Sequence, residues 1–558
     1  VNNKPNLKIF TFFVANMFKR EILFIAFLFI SFTSLSQETR YRYLVLLKDK
    51  NNSTYSVNKP EQFLSADAIS RRVKNKVAIT EHDLPVNTSY LQEIKAAGAQ
   101  IVYPLKWING VLIKEKPANI AKIKALKSVA GLYKNMPMDS SSDLRLQSNA
   151  LQNIQDSEAM DYGISYAQIS QLGIDQMHTK GYMGKGIKIA VLDDGFSQAN
   201  QAAFFQAIYS EKRLMGTLIT DPSLSSVYLG GSHGTQVWST IAAQAPGKLF
   251  GTAYQAQFAL AQTEESEHEL LVEEANWMRG AEWADSLGTD IITSSLGYSD
   301  FDNSKYNHSY AEMNGRTTLV SKAAAWAASK GIVCTISAGN QGSDPWKYIT
   351  APADADSIIS VGAVDRTGIR ASFSSIGPSF DLRIKPDIAA MGLATIAGLP
   401  SGAFGSLSGT SFSAPLVSGL VAGVIQANPT KTAQEIIQVI RKSGTQSSNP
   451  DNLLGYGIPH FERINQMLNP ILGNELPAKN RFEVYPNPAS IGQKIHVTTK
   501  AFQSGTLEII NSQGAIIQTM SFRQSEFDFS PAPFVSGKYY FRFTSENQMY
   551  VIPVLLNL

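Results

Sequence analysis

The chain has 558 residues, 44% of them apolar, which exceeds one ordinary domain and is enough to fill several cores. Lys and Arg number 49 against 46 Asp and Glu, a formal charge of +3, so there is no field strong enough to gather nucleic acid. The one cysteine, Cys334 in "GIVCTISAGN", excludes an internal disulfide framework and any multi-cysteine metal site, and reads as core packing.

Residues 1–36 are expected to hold an N-terminal extension and a secretory signal peptide. "MFKREILFIAFLFISFTSLSQ", from Met17, has a basic start (Lys19, Arg20), an apolar stretch from Ile22 to Ile30 and small residues Ser34 and Ser36 at cleavage spacing. The stretch is shorter than the ~20 residues of a spanning helix. Export without disulfides points to a bacterial exporter, and the expected location is secreted or cell-surface.

Residues 37–136 read as a small α+β unit. "YRYLVLLKD" and "AGAQIVYPLKWINGVLIKE" have strand character; "SADAISRRV", "NTSYLQEIKAAG" and "PANIAKIKALKSV" carry helix starts and helical apolar spacing. Residues 137–161 are polar and without period, and read as an exposed linker.

Over 162–470 short apolar runs alternate with helical stretches. "GIKIAVLDDG", "QFALAQT", "TDIITSSLG", "GIVCTISAGN" and "SIISVGAVD" end at polar or glycine punctuation, the pattern of a parallel α/β sheet with helices on both faces. Sites in such sheets collect outside the carboxyl ends of the strands. A further linker is expected over 471–480. Residues 481–558 show short alternating strands with turn signals, expected to form a small β-sandwich.

Three residues at run ends suit nucleophilic catalysis: Asp193 in "VLDDG", His233 in "GSHGTQVWSTIAA" and Ser411 in "GTSFSAPLVSG". A serine hydroxyl needs an imidazole to take its proton, and the imidazole needs a carboxylate to fix its tautomer. Gly234 and Gly409 leave room for a substrate backbone. Pro415 is expected to begin a helix whose small face (Ser418, Gly419, Ala422, Gly423) packs closely behind the serine. Asn340, ending "TISAGN", offers an amide donor for an oxyanion, alongside the Ser411 backbone N–H.

In that order, "VLDDG", "SHGT", "SAGN" and "GTSFSAP" resemble the signature segments of the subtilisin-like serine proteases, as do "GYMGKGIKIAVLD", "WADSLGTDIITSSLGY" and "LLGYGIPHF". The resemblance implies a subtilisin-like sheet and an endopeptidase in which Asp193 orients, His233 acts as base and acid, Ser411 attacks and Asn340 binds the oxyanion. It further implies that Ser295, Leu296 and Gly297 pair with substrate, with Ala338 and Gly339 across the specificity pocket. The family usually has Ser or Thr after the catalytic aspartate. Here Asp194 follows, and strand alternation predicts that it faces away from His233.

The flanks extend the resemblance. Residues 42–133 are similar to a subtilase propeptide of the Bacteroidetes type, implying a unit that assists folding, covers the cleft and is removed. "RFEVYPNPAS" resembles the start of C-terminal domains read by type IX secretion, which implies outer-membrane secretion machinery as a partner. The other partners implied are peptide or protein substrates and the chain's own propeptide.

The acyl chemistry needs no cofactor. Calcium is common in the family, but no segment is a self-contained Asp-rich calcium loop, so metal is left unknown. "EESEHELLVEE" (Glu264–Glu274) reads first as a solvated face beside a helix start, and second as a preference for basic substrate residues near the cleft. Trp277 and Trp283 read as core, and "GYMGKG" precedes its strand, which excludes a dinucleotide loop. Two functions of different class remain: a secreted serine endopeptidase, and a catalytically silent surface protein that keeps the fold. An esterase using the same acyl chemistry is a lesser alternative.

Overall fold

A computed structural model describes residues 39–139, 161–265, 268–469, 482–490, 492–499, 503–531, 534–545 and 548–557. The signal peptide expected within 1–36, most of the linker expected over 137–161 and the linker expected over 471–480 lie outside these residues. The chain divides into one unit ending at Ile464 and a second starting at Asn465.

The first unit opens with a four-stranded antiparallel sheet made of Tyr41–Leu47 (β1), Gln100–Leu105 (β2), Gly110–Glu115 (β3) and Val129–Leu132 (β4), ordered β2-β3-β1-β4. The run "AGAQIVYPLKWINGVLIKE" splits into β2 and β3 at a turn where Asn109 takes φ 47°, a left-handed conformation that asparagine tolerates. β4 has no counterpart in the sequence pattern, because four residues are too few to display a period. Ala66–Asn75 (α1) and Thr88–Ala96 (α2) start at Ser65 and Asn87, whose side chains accept the Ala68 and Ser89 backbone N–H groups.

Beyond residue 161, seven strands form one parallel sheet: Lys188–Asp193 (β5), Leu214–Ile219 (β6), Gln257–Gln262 (β7), Ile291–Ser294 (β8), Val333–Ser337 (β9), Ile359–Val364 (β10) and Ile388–Met391 (β11), ordered β11-β10-β9-β8-β5-β7-β6. Helices His233–Ala242 (α3) and Thr410–Ala427 (α6) pack on these strands, as do Val272–Leu287 (α4) and Leu319–Ser329 (α5). Ala190, Leu192, Ile292 and Ile336 share a core with α4 and α5. Their alternates Ile189, Val191, Ile291 and Val333 are equally buried, as strands covered on both faces require.

The four-stranded sheet seats Leu44, Tyr103, Leu105 and Leu112 in that same core, against α4 and α5. A buried charge cluster fixes α1 to α4. Arg71 and Arg72 reach Asp285 at 2.5 and 3.0 Å, and Lys106 Nζ reaches it at 3.1 Å. Met138, inside the span expected to be exposed linker, is fully buried: its N–H donates to Arg42 O and its carbonyl accepts from Val272 N–H. An apolar side chain within reach of the core leaves water, whatever the polarity of its neighbours in sequence.

In the second unit, Phe482–Tyr485, Ile495–Thr499 and Glu526–Phe529 form a three-stranded sheet. A five-stranded sheet comprises Ala489–Ser490, Gly505–Ile510, Ile516–Phe522, Gly537–Ser545 and Gln548–Asn557. Ile495, Val497 and Phe529 of the first sheet meet Leu507, Ile509, Phe541 and Phe543 of the second in one core, the sandwich expected from the alternation.

Candidate active site

β5 ends at Asp193, which is fully buried, and α3 begins at His233. His233 Nδ1 and Asp193 Oδ1 are 2.7 Å apart. Gly234 allows this approach, since a Cβ there would lie 2.4 Å from Gly195 O and 2.9 Å from Asp193 Cβ. Burial disfavours charge on His233, but the Asp193 carboxylate outweighs it, reinforced by Asp194 and Glu264, and the imidazole is raised to about 9.

Asp194 does not face away from His233, contrary to the alternation expected. The strand stops at Asp193 and the chain bends, so Asp194 turns back: its Oδ1 accepts from Gly234 N–H at 3.2 Å, and its carboxylate lies within 4.8 Å of both Asp193 and His233 ligand atoms. Burial, then the charge of Asp193, pushes the Asp194 carboxyl up. The short bond to His233 nevertheless belongs to Asp193.

Ser411 is the second residue of α6, and its neighbour Phe412 lies 6.0 Å from the His233 ring, centroid to centroid. Its Oγ donates to Ser295 O at 3.4 Å, a bond at the outer limit of length. Pro415 does not begin the helix as expected; it lies inside it, because Thr410 already starts the first turn. Proline has no N–H to give the Ser411 carbonyl four residues back, and that carbonyl instead accepts from Ser295 Oγ at 2.8 Å. The small face packs closely: a Cβ on Gly419 would lie 1.8 Å from Thr252 Oγ1, and one on Gly423 2.1 Å from Met177 Sδ.

Asn340 follows β9. Its Oδ1 accepts from both Thr410 N–H, at 2.9 Å, and Thr410 Oγ1, at 3.0 Å, which fixes the amide and leaves Nδ2 as the outward donor. Thr410 is thus a positioning residue that sequence pattern did not single out; only its place beside Ser411 hinted at it. Ser295, Leu296, Gly297, Gly339, Asn340 and Ser411 line one polar cavity of about 190 Å³, with Ser337, Gln341, Thr350, Thr410, Glu264 and Glu269. Ala338 is not among the lining residues: it is fully buried, its N–H donates to Val361 O and its carbonyl accepts from Thr350 N–H.

The acidic run is not the solvated face it resembled. Glu264, Glu273 and Glu274 are buried, the last two within the first turn of α4, with Glu274 accepting the Leu319 and Val320 N–H groups at the start of α5. Glu264, Glu269 and Glu273 place carboxylate oxygens within 4.8 Å of one another. As a metal site the trio is poorly free: Glu273 accepts from Glu265 and Leu270 N–H, and Glu264 Oε1 accepts from Tyr298 and Thr263 hydroxyls.

Residues 184–457 match the model of the Subtilase family. Subtilisin NAT of Bacillus subtilis subsp. natto is 31% identical over 300 residues, covering 52% of this chain and 68% of that protein. The chain belongs to the subtilase family. A thermostable alkaline protease of Halalkalibacterium halodurans is similarly close, 31% identical over 313 residues, covering 56% of the subtilase and 74% of that protein. Residues 42–153 match the Peptidase S8 propeptide domain of Bacteroidota, and 483–556 match a secretion system C-terminal sorting domain. The crystal structure of a mutant epidermin leader peptide processing serine protease from Staphylococcus aureus shares the fold, with TM-score 0.52 and 16% identity over 77% of this chain and 100% of that one. This subtilase is therefore a serine endopeptidase carrying its own propeptide and a sorting domain for secretion.

Proposed function

We propose that the subtilase hydrolyses peptide bonds through an acyl-enzyme on Ser411. His233 takes the hydroxyl proton as Ser411 Oγ attacks the peptide carbonyl, and Asp193 holds the ring by its Nδ1 and stabilises the imidazolium. The oxyanion of the tetrahedral intermediate accepts from Asn340 Nδ2 and the Ser411 N–H, one of the first-turn donors without an intrahelical acceptor. His233 returns the proton to the departing amine, and water, activated by the same ring, releases the acyl group. Ser295, Leu296, Gly297 and Gly339 flank the bound peptide. Ala338 serves by carrying Gly339 and not by direct contact.

The observation that supports this most is the 2.7 Å bond between Asp193 and His233 at the strand ends, beside the Ser411 helix start. The proposed order of parts is a signal within 1–36, a propeptide over 37–136, a linker over 137–161 cut on maturation, a peptidase over 162–470, a linker over 471–480 and a sorting domain over 481–558. The sorting domain would be read by outer-membrane machinery of the type IX kind after signal-dependent export.

The test is expression of residues 37–558 beside the Ser411→Ala form, with casein digestion and intact mass as readouts. The parent should self-cleave between Lys134 and Asp161 and digest casein, while the alanine form does neither, a loss of about 10⁶-fold by the scale of subtilisin nucleophile removal. A folded parent that behaves like its alanine form would favour the silent surface protein.

A further inference from the structure

The cavity beside Ser411 has an acidic wall for which the hydrolytic chemistry has no use. Glu264 is held by Tyr298 and Thr263 through Oε1 alone, and Oε2 takes no hydrogen bond from any described residue. Glu269, also lining the cavity, is exposed, and among the described residues no Lys, Arg or His forms an ion pair with Glu264, Glu269 or Glu273. Burial, then the charge of Glu269, raises the Glu264 carboxyl, and the Glu269 carboxyl is raised by desolvation against the acidic wall and by Asp302 and Asp300. These carboxylates lack a counter-charge.

Two independent observations indicate what fills the gap. The Thr350 hydroxyl is fully buried and without a partner, and it points into the space between the strands that wall the cavity: a Cβ on Gly297 would lie 2.2 Å from it and one on Gly339 3.0 Å. Unpartnered among the described residues, it can accept a hydrogen bond from a cationic ligand. The same acidic segment already holds a guanidinium: Arg42 of the N-terminal sheet reaches Glu265 Oε1 at 2.6 Å and Asp139 Oδ2 at 2.7 Å. When residues 37–136 depart, Arg42 leaves with them and Glu265 loses its cation, keeping only the Asn276 amide.

We infer that the cavity selects substrates carrying an arginine on the acyl side of the scissile bond, seated between Glu264 and Glu269. Arginine suits the spacing better than lysine, because its planar fork donates to two carboxylates at once, with N–H groups to spare for Thr350. The inference rests on the peptidase reading proposed above.

The test uses the full-length chain, matured by its own cleavage, and pairs of peptide substrates in which one acyl-side residue is arginine or its neutral isostere citrulline, moved through successive positions. At one position kcat/KM should favour arginine by about 10- to 100-fold, the range expected for hydrogen bonds to charged groups. That ratio should fall towards one in Glu264→Gln and in Glu269→Gln; the second, at an exposed residue, keeps the test valid if the first fails to fold. Equal rates for both peptides at every position, or a preference surviving in both variants, overturns the inference and leaves the peptidase reading standing. A preference abolished by millimolar calcium and restored by chelator also overturns it, since the carboxylates would then belong to a metal. A protein that cuts no peptide fails the peptidase reading and takes this inference with it.

Discussion

Asp194 Oδ1 accepts the backbone N–H of Gly234 at 3.2 Å, which fixes a second carboxylate beside the Asp193–His233 pair. A histidine raised to about 9 is protonated at neutral pH and cannot accept the serine proton, so activity should rise with pH through that value. Removing the Asp194 charge removes stabilisation of the imidazolium. Asp194→Asn should therefore move the rising limb of the kcat/KM profile to lower pH, by about one unit, and raise relative activity near neutrality. A profile that does not move would show that Asp194 does not act on His233.

Asn340 is held by Thr410 through its oxygen, so its nitrogen is the group offered to an oxyanion. Asn340→Ala should lower kcat by about 10²–10³, the loss found on removing the corresponding donor in subtilisin, with KM nearly unchanged. Thr410→Val loses one of the two anchors on Asn340, and a smaller drop in kcat is expected. Steady-state kinetics on one peptide substrate distinguishes the two.

Asp285 carries Arg71, Arg72 and Lys106, all from the N-terminal sheet and its helix, and its carboxyl is held low by them against the cost of burial. Removing one partner from such a cluster costs about 3–5 kcal/mol, because the remaining charges stay buried. Asp285→Asn should lower the Tm of the Ser411→Ala precursor clearly while changing that of the mature enzyme little, since in the proposed maturation all three cations leave with the propeptide. Thermal melts of the two forms provide the check.

His82 stands edge-on to Trp326 of α5, ring centroids 5.0 Å apart. Burial, with Lys330 and Lys50 nearby, lowers its pKa from 6.5 to about 4. Its proton is thus bound more readily once the propeptide is free, so stability of the associated state is lost as pH falls from about 6.5 towards 4. Propeptide release, followed by size exclusion, should accelerate over that window, and His82→Phe should flatten the dependence.

Much of the proposed catalytic constellation was legible along the chain because its chemistry is local. Each of Asp193, His233, Asn340 and Ser411 sits in a short segment whose glycines and small residues are needed for close approach, as the contacts at Gly234, Gly419 and Gly423 confirm. The parallel sheet was legible because fully buried strands read as unbroken apolar runs. "LMGTLI" and "IAAM" escaped notice: the first is interrupted by Gly216 and only partly buried, and the second is only four residues long.

The sequence by itself determined which residues are proposed to carry the chemistry, in what order, and on what kind of sheet, since periodicity and spacing are properties of the chain. Only the tertiary structure decided where Asp194 points, what takes the Ser411 carbonyl that Pro415 leaves free, and that Glu264 and Glu273 are interior. Asp194 meets Gly234 40 residues on, the Ser411 carbonyl meets Ser295 116 residues back, and Glu264 meets Tyr298 34 residues on. Burial and hydrogen bonding at such separations are set by packing, which no local pattern encodes.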